Sequence, residues 1–231
     1  MRNLVLAKLP PGSLARVLPL LEPVELPIRL PLYRQGTSIA HVYFPLSGLI
    51  SLVAILTDGT EAEVGIIGRE GMLGSSLLSG IRDPFVDSLV QMPGQGLRMS
   101  AADFLREVRS DDSLREVLLR YHEALGAQIM QTAVCAGRHA LEPRLARWLL
   151  MAHDRAEGDH LHLTQEFLAM MLGVHRPSIS VTAQALQRAG LIRYAGGIIT
   201  IVNRAGLERT ACECYAAVQS RYYELMERKL D

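Results

Sequence analysis

The stretch from Thr164 to Ile192, TQEFLAMMLGVHRPSISVTAQALQRAGLI, constrains the chain more than any other. It reads as two short helices joined by a tight turn. Thr164 is a good N-cap, because its hydroxyl can accept an orphan amide of the first turn. Phe167, Leu168, Met171 and Leu172 recur at helical spacing and form one apolar face. Gly173 ends that helix where a left-handed residue is needed. Val174 plugs the turn, and a second helix opens near His175-Arg176-Pro177, where a first-turn proline costs no hydrogen bond. Ile179, Thr182, Ala183, Leu186 and Ala189 make its inward face, small Ala169 allows a close crossing, and Gly190 stops it. Leu191 to Tyr194, Gly196-Gly197 and Ile198 to Val202 then read as a hairpin. Two helices followed by such a wing form a winged helix-turn-helix, a module that mainly grips duplex DNA.

Composition limits the alternatives. The 231 residues suffice for one large or two small domains. Formal net charge is zero, so no overall basic field points to nucleic acid, although a local patch can hide in a zero sum. Residues 138–209 carry nine arginines against six acids, a mild local excess. The longest apolar stretch, Leu49 to Leu56, is too short to span a bilayer. Pro10-Pro11-Gly12 interrupts the first apolar run, so no signal peptide is expected and the expected location is cytoplasmic. Three cysteines, Cys135, Cys212 and Cys214, suit a reducing compartment and suggest no disulfide framework.

Along the chain, Leu14 to Leu21 reads as a helix, and Pro23, Pro27 and Pro31 favour extended edges. Val42 to Phe44 and Leu49 to Leu56 read as strands. Thr57-Asp58-Gly59-Thr60 predicts a type I′ hairpin into a strand over Glu61 to Ile67, with Glu61 and Glu63 facing water. A glycine-rich corner, Gly68 to Gly74, precedes strands near Ser88 to Met92 and Gly96 to Met99. From Ser100 the period becomes helical. Ala101 to Val108 is one helix and Asp111 to about Gly137 a longer one. In the latter, Leu114, Leu118, Tyr121, Leu125, Gln128, Thr132 and Cys135 alternate by four and three, the spacing of a coiled-coil seam. Leu141 to Ala156 and Ala205 to Leu230 complete the helices. The expected fold class is α+β: an N-terminal antiparallel β-roll over residues 1–110, a dimerisation helix over 111–137, and a winged helix-turn-helix with a closing helix over 138–231.

This layout resembles the Crp/Fnr family of bacterial transcription regulators over nearly the whole chain. Leu32 to Gly36 followed by Val42 to Gly48 is similar to the family's entry into its cyclic-nucleotide-binding-type roll. Leu163 to Glu166 and Gly173 to Arg176 resemble its helix-turn-helix. The resemblance implies a homodimer on two-fold-symmetric DNA, switched through the roll, with RNA polymerase as a partner if it activates. It also implies an effector pocket at Gly74, Ser75, Ser76, Arg82 and Asp87. There the family's ribose-binding glutamate is replaced by Ser75, and its phosphate-binding arginine falls in PFVDS, which holds Asp87 instead. An acid there repels phosphate, so cyclic AMP binding is not expected. No cysteine precedes Cys135, so the iron–sulfur chemistry of the oxygen-sensing branch is not expected either, and no cofactor is implied.

The candidate DNA-binding residues are Thr164, Gln165, His175, Arg176, Ser178, Ser180, Val181 and Gln184. Arg176 can reach guanine O6 and N7, Val181 can pack on a thymine methyl, and Gln184 can read adenine. Thr164, Gln165, Ser178 and Ser180 suit phosphates. His160-x-His162 supplies too few ligands for a metal site and reads as a short strand. Cys212 and Cys214, placed two apart on one helix, point about 200° away from each other and read as packing. Without a Ser/His/Asp set, a P-loop or zinc spacing, no enzyme is expected. A small-molecule sensor with a degenerate DNA part is the competing reading.

Overall fold

The computed structural model describes residues 1–227. Two short helices lead, α1 (Leu4–Ala7) and α2 (Pro11–Val17). The first was not anticipated. It is capped by Asn3, whose side chain accepts from the Leu6 amide and donates to the carbonyls of Pro45 and Gly71. Seven strands follow: β1 (Glu22–Leu26), β2 (Pro31–Tyr33), β3 (His41–Pro45), β4 (Leu49–Ile55), β5 (Glu61–Ile67), β6 (Asp87–Met92) and β7 (Gly94–Ser100). They form two antiparallel sheets, ordered β1-β7-β3 and β2-β6-β4-β5.

The β4–β5 turn differs from expectation. Only Gly59 takes a positive φ, +81°, whereas a type I′ turn needs two such residues. The Gly59 amide instead donates to Leu56 carbonyl at 2.9 Å, with Thr57 and Asp58 between them. Asp58 Oδ1 accepts from the Thr60 amide at 2.8 Å. The aspartate's own acceptor holds the turn, so only the glycine must be left-handed.

After the roll come α3 (Ala101–Ser110), α4 (Asp112–Arg138) and α5 (Leu141–His153). Ser100 and Asp111 cap α3 and α4 through their side-chain oxygens, as those residue types do. The short β8 (His160–His162) precedes α6 (Gln165–Leu172) and α7 (Arg176–Arg188). Then β9 (Ile192–Ala195) and β10 (Ile198–Ile201) complete a third antiparallel sheet, ordered β8-β10-β9. The expected single closing helix is two: α8 (Arg204–Thr210), capped by Asn203, and α9 (Cys214–Met226). Its expected end at Leu230 lies outside the described residues. No described helix is long and apolar enough to cross a membrane.

The proposed α4 seam needs correction. Leu114, Leu118, Tyr121 and Gln128 are buried within this one chain, and Leu125 is partly so. Leu114, Leu118 and Tyr121 pack into the core formed by α1, α2, the roll and α3. Gln128 does not set a register between chains: its Oε1 accepts from the Ile66 amide at 2.8 Å, on edge strand β5. The four-three spacing is real, but the covering partner is the chain's own roll. Gly71 shows why the corner is glycine-rich. A Cβ there would stand 2.2 Å from the Tyr121 hydroxyl, so the side chain on α4 occupies the space of the missing one.

Glu63 is also corrected. It is 8% exposed, accepting from Ser51 Oγ at 2.6 Å and from Trp148 Nε1 at 2.5 Å. A second core joins α5, α6, α7 and the third sheet to Leu49, Val53, Ile66 and Met92 of the roll. The DNA-type module is therefore seated on the four-stranded sheet, and the surface that alternation assigns to water is covered.

Candidate nucleic-acid interface

The turn between α6 and α7 is built as the residues suggest. Gly173 takes φ +61°, its amide donates to Met170 carbonyl and that of Val174 to Ala169 carbonyl, at 3.2 and 3.0 Å. That pair of bonds is a Schellman closure. Arg144 Nη2 adds a bond to the Leu172 carbonyl at 2.5 Å, satisfying another orphan acceptor of α6. Ile179, Ala183 and Leu186 of α7 are buried against Leu168, Ala169 and Leu172 of α6. Fully burying one such large aliphatic side chain is worth about 1.5–3 kcal/mol, so this small core fixes the angle at which α7 is presented.

What α7 presents outward is Arg176, Ser178, Val181 and Gln184, all exposed. Val181 is an exposed large apolar residue, 65% open to solvent. Arg176 Nη1 meets Glu166 Oε1 at 2.7 Å, both ends solvated. Such an exposed pair contributes at most about 1 kcal/mol, so the guanidinium is held lightly and is free to exchange partners. Ser180 Oγ donates to Gln165 Oε1, joining α7 to the start of α6. Those two side chains satisfy each other in the free chain. Thr164 Oγ1 accepts from the Phe167 amide at 3.2 Å and caps α6 as expected. His175 stands at the N-cap position of α7, and its side chain makes no cap bond.

The wing adds residues that the sequence reading passed over. Arg188 at the end of α7 and Arg193 on β9 are exposed, and the sequence signal was simply their place beside the motif. Tyr194 is half-buried beside Glu166 and Arg176; burial, then the Glu166 charge, pushes its phenol up. Gln187 Oε1 accepts the Tyr194 amide at 2.6 Å, tying wing to α7. Together these groups give α7 an exposed arginine at each end and the wing a third, a set suited to phosphates and base edges.

Residues 143–210 match the family model of the Crp-like helix-turn-helix domain. Over 222 residues the chain is 25% identical to a CRP-like cAMP-activated global transcriptional regulator of Mycobacterium tuberculosis, covering 87% of this chain and 93% of that one. That segment is a Crp-like helix-turn-helix by its match, and the likeness to a Crp-like transcriptional regulator runs along most of the chain. Solved structures agree on the Crp/Fnr fold. FixK2 from Bradyrhizobium japonicum superposes with a TM-score of 0.71 at 15% identity, over 83% of this chain and 98% of that one. A CRP-family transcriptional regulator from Thermus thermophilus gives 0.67 at 21% identity, over 81% and 96%.

The candidate effector residues are only partly brought together. Ser75 is buried and its Oγ lies 3.0 Å from His122 Nδ1 on α4. Gly74, at φ +104°, backs onto Tyr33 and Val42. Ser76 is half-buried and Arg82 exposed. Asp87 Oδ1 accepts from the Gln35 amide at 2.8 Å, closing β2 onto β6. The serine and the aspartate are each bonded to the chain itself.

The cysteines require one further correction. Cys212 precedes α9 in the bend after α8, and Cys214 opens the helix. Their side chains therefore converge, and both meet Cys135.

Proposed function

We propose that this Crp/Fnr-type chain is a homodimeric, sequence-specific DNA-binding regulator whose roll does not take cyclic AMP. The observation that carries it is the outward face of α7, where Arg176, Val181 and Gln184 stand exposed beside a wing. Arg176 reads a guanine and Val181 favours a neighbouring thymine. Gln184 reads adenine, and Thr164, Gln165, His175, Ser178 and Ser180 position the phosphates. Three parts, 1–110, 111–137 and 138–231, divide the labour of sensing, pairing and binding.

The dimer face proposed now is a different side of α4 from the one buried in the roll. Leu119, Met130 and Val134 are exposed apolar residues there, 61% for Met130. Leu119, Gly126, Met130, Ala133 and Gly137 keep a heptad-compatible spacing, and Gly126 and Gly137 have open space before them. Two such helices can approach closely. Although the mycobacterial relative is named for activation by cAMP, Ser75 offers no carboxylate at the ribose position and Asp87 no cation at the phosphate position. A cytoplasmic location and contact with RNA polymerase belong to the same reading. Selection of bound duplexes from a random pool tests it, and a pool that enriches no sequence would sink the specific-binding reading in favour of a sensor with a degenerate DNA part.

A further inference from the structure

The end of α4 and the start of α9 bring together Cys135, His139, Cys212 and Cys214. The four ligand atoms all lie within 4.8 Å of one another. Cys135 Sγ is 3.5 Å from Cys212 Sγ, and Cys214 Sγ is 3.5 Å from His139 Nδ1. All three thiols are buried. Cys135 and His139 stand one turn apart, with the His139 amide donating to the Cys135 carbonyl at 3.1 Å. We propose that these residues form a closed, four-ligand Cys3His site for a zinc ion, which pins the last helix to the end of the long one.

The dimensions suit that ion. Zinc takes thiolates at about 2.3 Å and imidazole nitrogen at about 2.0–2.1 Å, so a tetrahedron has edges of roughly 3.5–3.8 Å. A disulfide needs sulfurs at about 2.05 Å and would leave Cys214 and His139 without a role. Three thiolates and one imidazole fill a tetrahedron, which marks a structural rather than a catalytic site.

The surroundings are those of an oriented ligand set. His139 turns Nδ1 toward the sulfurs, and its Nε2 lies 3.3 Å from Glu213 Oε1. A carboxylate behind a ligating imidazole fixes its tautomer and raises its basicity. Gln131 Nε2 donates to Cys214 Sγ at 3.0 Å. Zinc with three thiolates carries a net negative charge, and Arg147 is the buried cation beside it. That arginine is 5% exposed, lines the same cavity as Cys135, and its Nε has no hydrogen-bond partner. A thiolate–zinc centre adds negative charge on the side of that cation where its Nε has no partner.

The test uses the full chain, purified with zinc under reducing, anaerobic conditions. Elemental analysis is expected to give one zinc per chain, lost in Cys135→Ser, Cys212→Ser and Cys214→Ser. Cobalt loaded in place of zinc should give the visible bands of a tetrahedral, sulfur-rich site in the unmutated chain, so the test does not depend on how the serine variants fold. Glu213→Gln should keep the site but weaken zinc roughly 10–100-fold. Chelation should lower the melting temperature of the unmutated chain. Four results would each overturn the proposal. They are a reduced chain that holds no zinc and gives no cobalt bands, an iron–sulfide stoichiometry in place of zinc, a Cys135–Cys212 disulfide by mass under these conditions, or serine variants that keep their zinc.

Discussion

Glu63 offers the sharpest perturbation, because it joins the roll to the DNA-type module. Burial raises its carboxyl from an ordinary 4.5 to about 7, against the pull of the Ser51 and Trp148 hydrogen bonds and of Arg155 and Arg147. The folded state thus keeps a proton that the unfolded chain releases. The stabilising effect of that proton is complete below pH 4.5 and is lost as pH rises through about 7. At 1.36 kcal/mol for each unit of pKa, the loss amounts to ~3 kcal/mol. Glu63→Gln keeps an acceptor for the Trp148 indole and a donor for Ser51 but does not titrate. The variant should match the parent near pH 5 and exceed it by up to ~3 kcal/mol at pH 8. Trp148 is the single tryptophan, so its fluorescence during urea unfolding reports this contact, and circular dichroism checks that the transition is two-state. A stability gap that stays constant from pH 5 to 8 would refute a buried, proton-holding Glu63.

Other expectations follow from the same geometry. Leu119→Asp with Met130→Asp should yield folded monomers by light scattering and lose DNA binding. Leu118→Asp, placed in the chain's own core, should instead unfold the protein. Arg176→Ala should cost roughly 1–3 kcal/mol at the chosen site and relax preference at one guanine only. Thr164→Ala should weaken all sequences nearly alike in a salt-dependent binding assay. Calorimetry should find no micromolar site for cyclic AMP; finding one would mean that Arg82 or another cation serves its phosphate.

Much of this was legible because it is local. Thr164, Gly173 and Gly190 punctuate α6 and α7 by cap chemistry that needs no distant partner. Pairing of β9 with β10 follows from Gly196-Gly197, both left-handed. What stayed hidden depends on which distant part of the chain covers a face. Alternation correctly paired Glu63 with Glu61, yet nothing nearby says that α5 will lay Trp148 over it. The repeat on α4 named a buried stripe, but periodicity is silent on whether the cover is a second chain or the roll. The cysteines were misread for two reasons. The break at Ala211 between α8 and α9 was missed, and Cys135 lies 77 residues from Cys212. Asn203 was a legible N-cap for the start of α8, but it carries no information about where that helix ends.

The central claim is that this chain reads DNA as a two-fold-symmetric pair of α7 helices. Selection from a random duplex pool with the full chain, followed by sequencing of the bound fraction, tests it most directly. The expected product is an inverted repeat with one guanine per half-site and half-sites one helical turn apart, ~34 Å, with enrichment lost in Arg176→Ala. A pool that enriches no sequence, or one that enriches a single asymmetric site unchanged by Arg176→Ala, would contradict it.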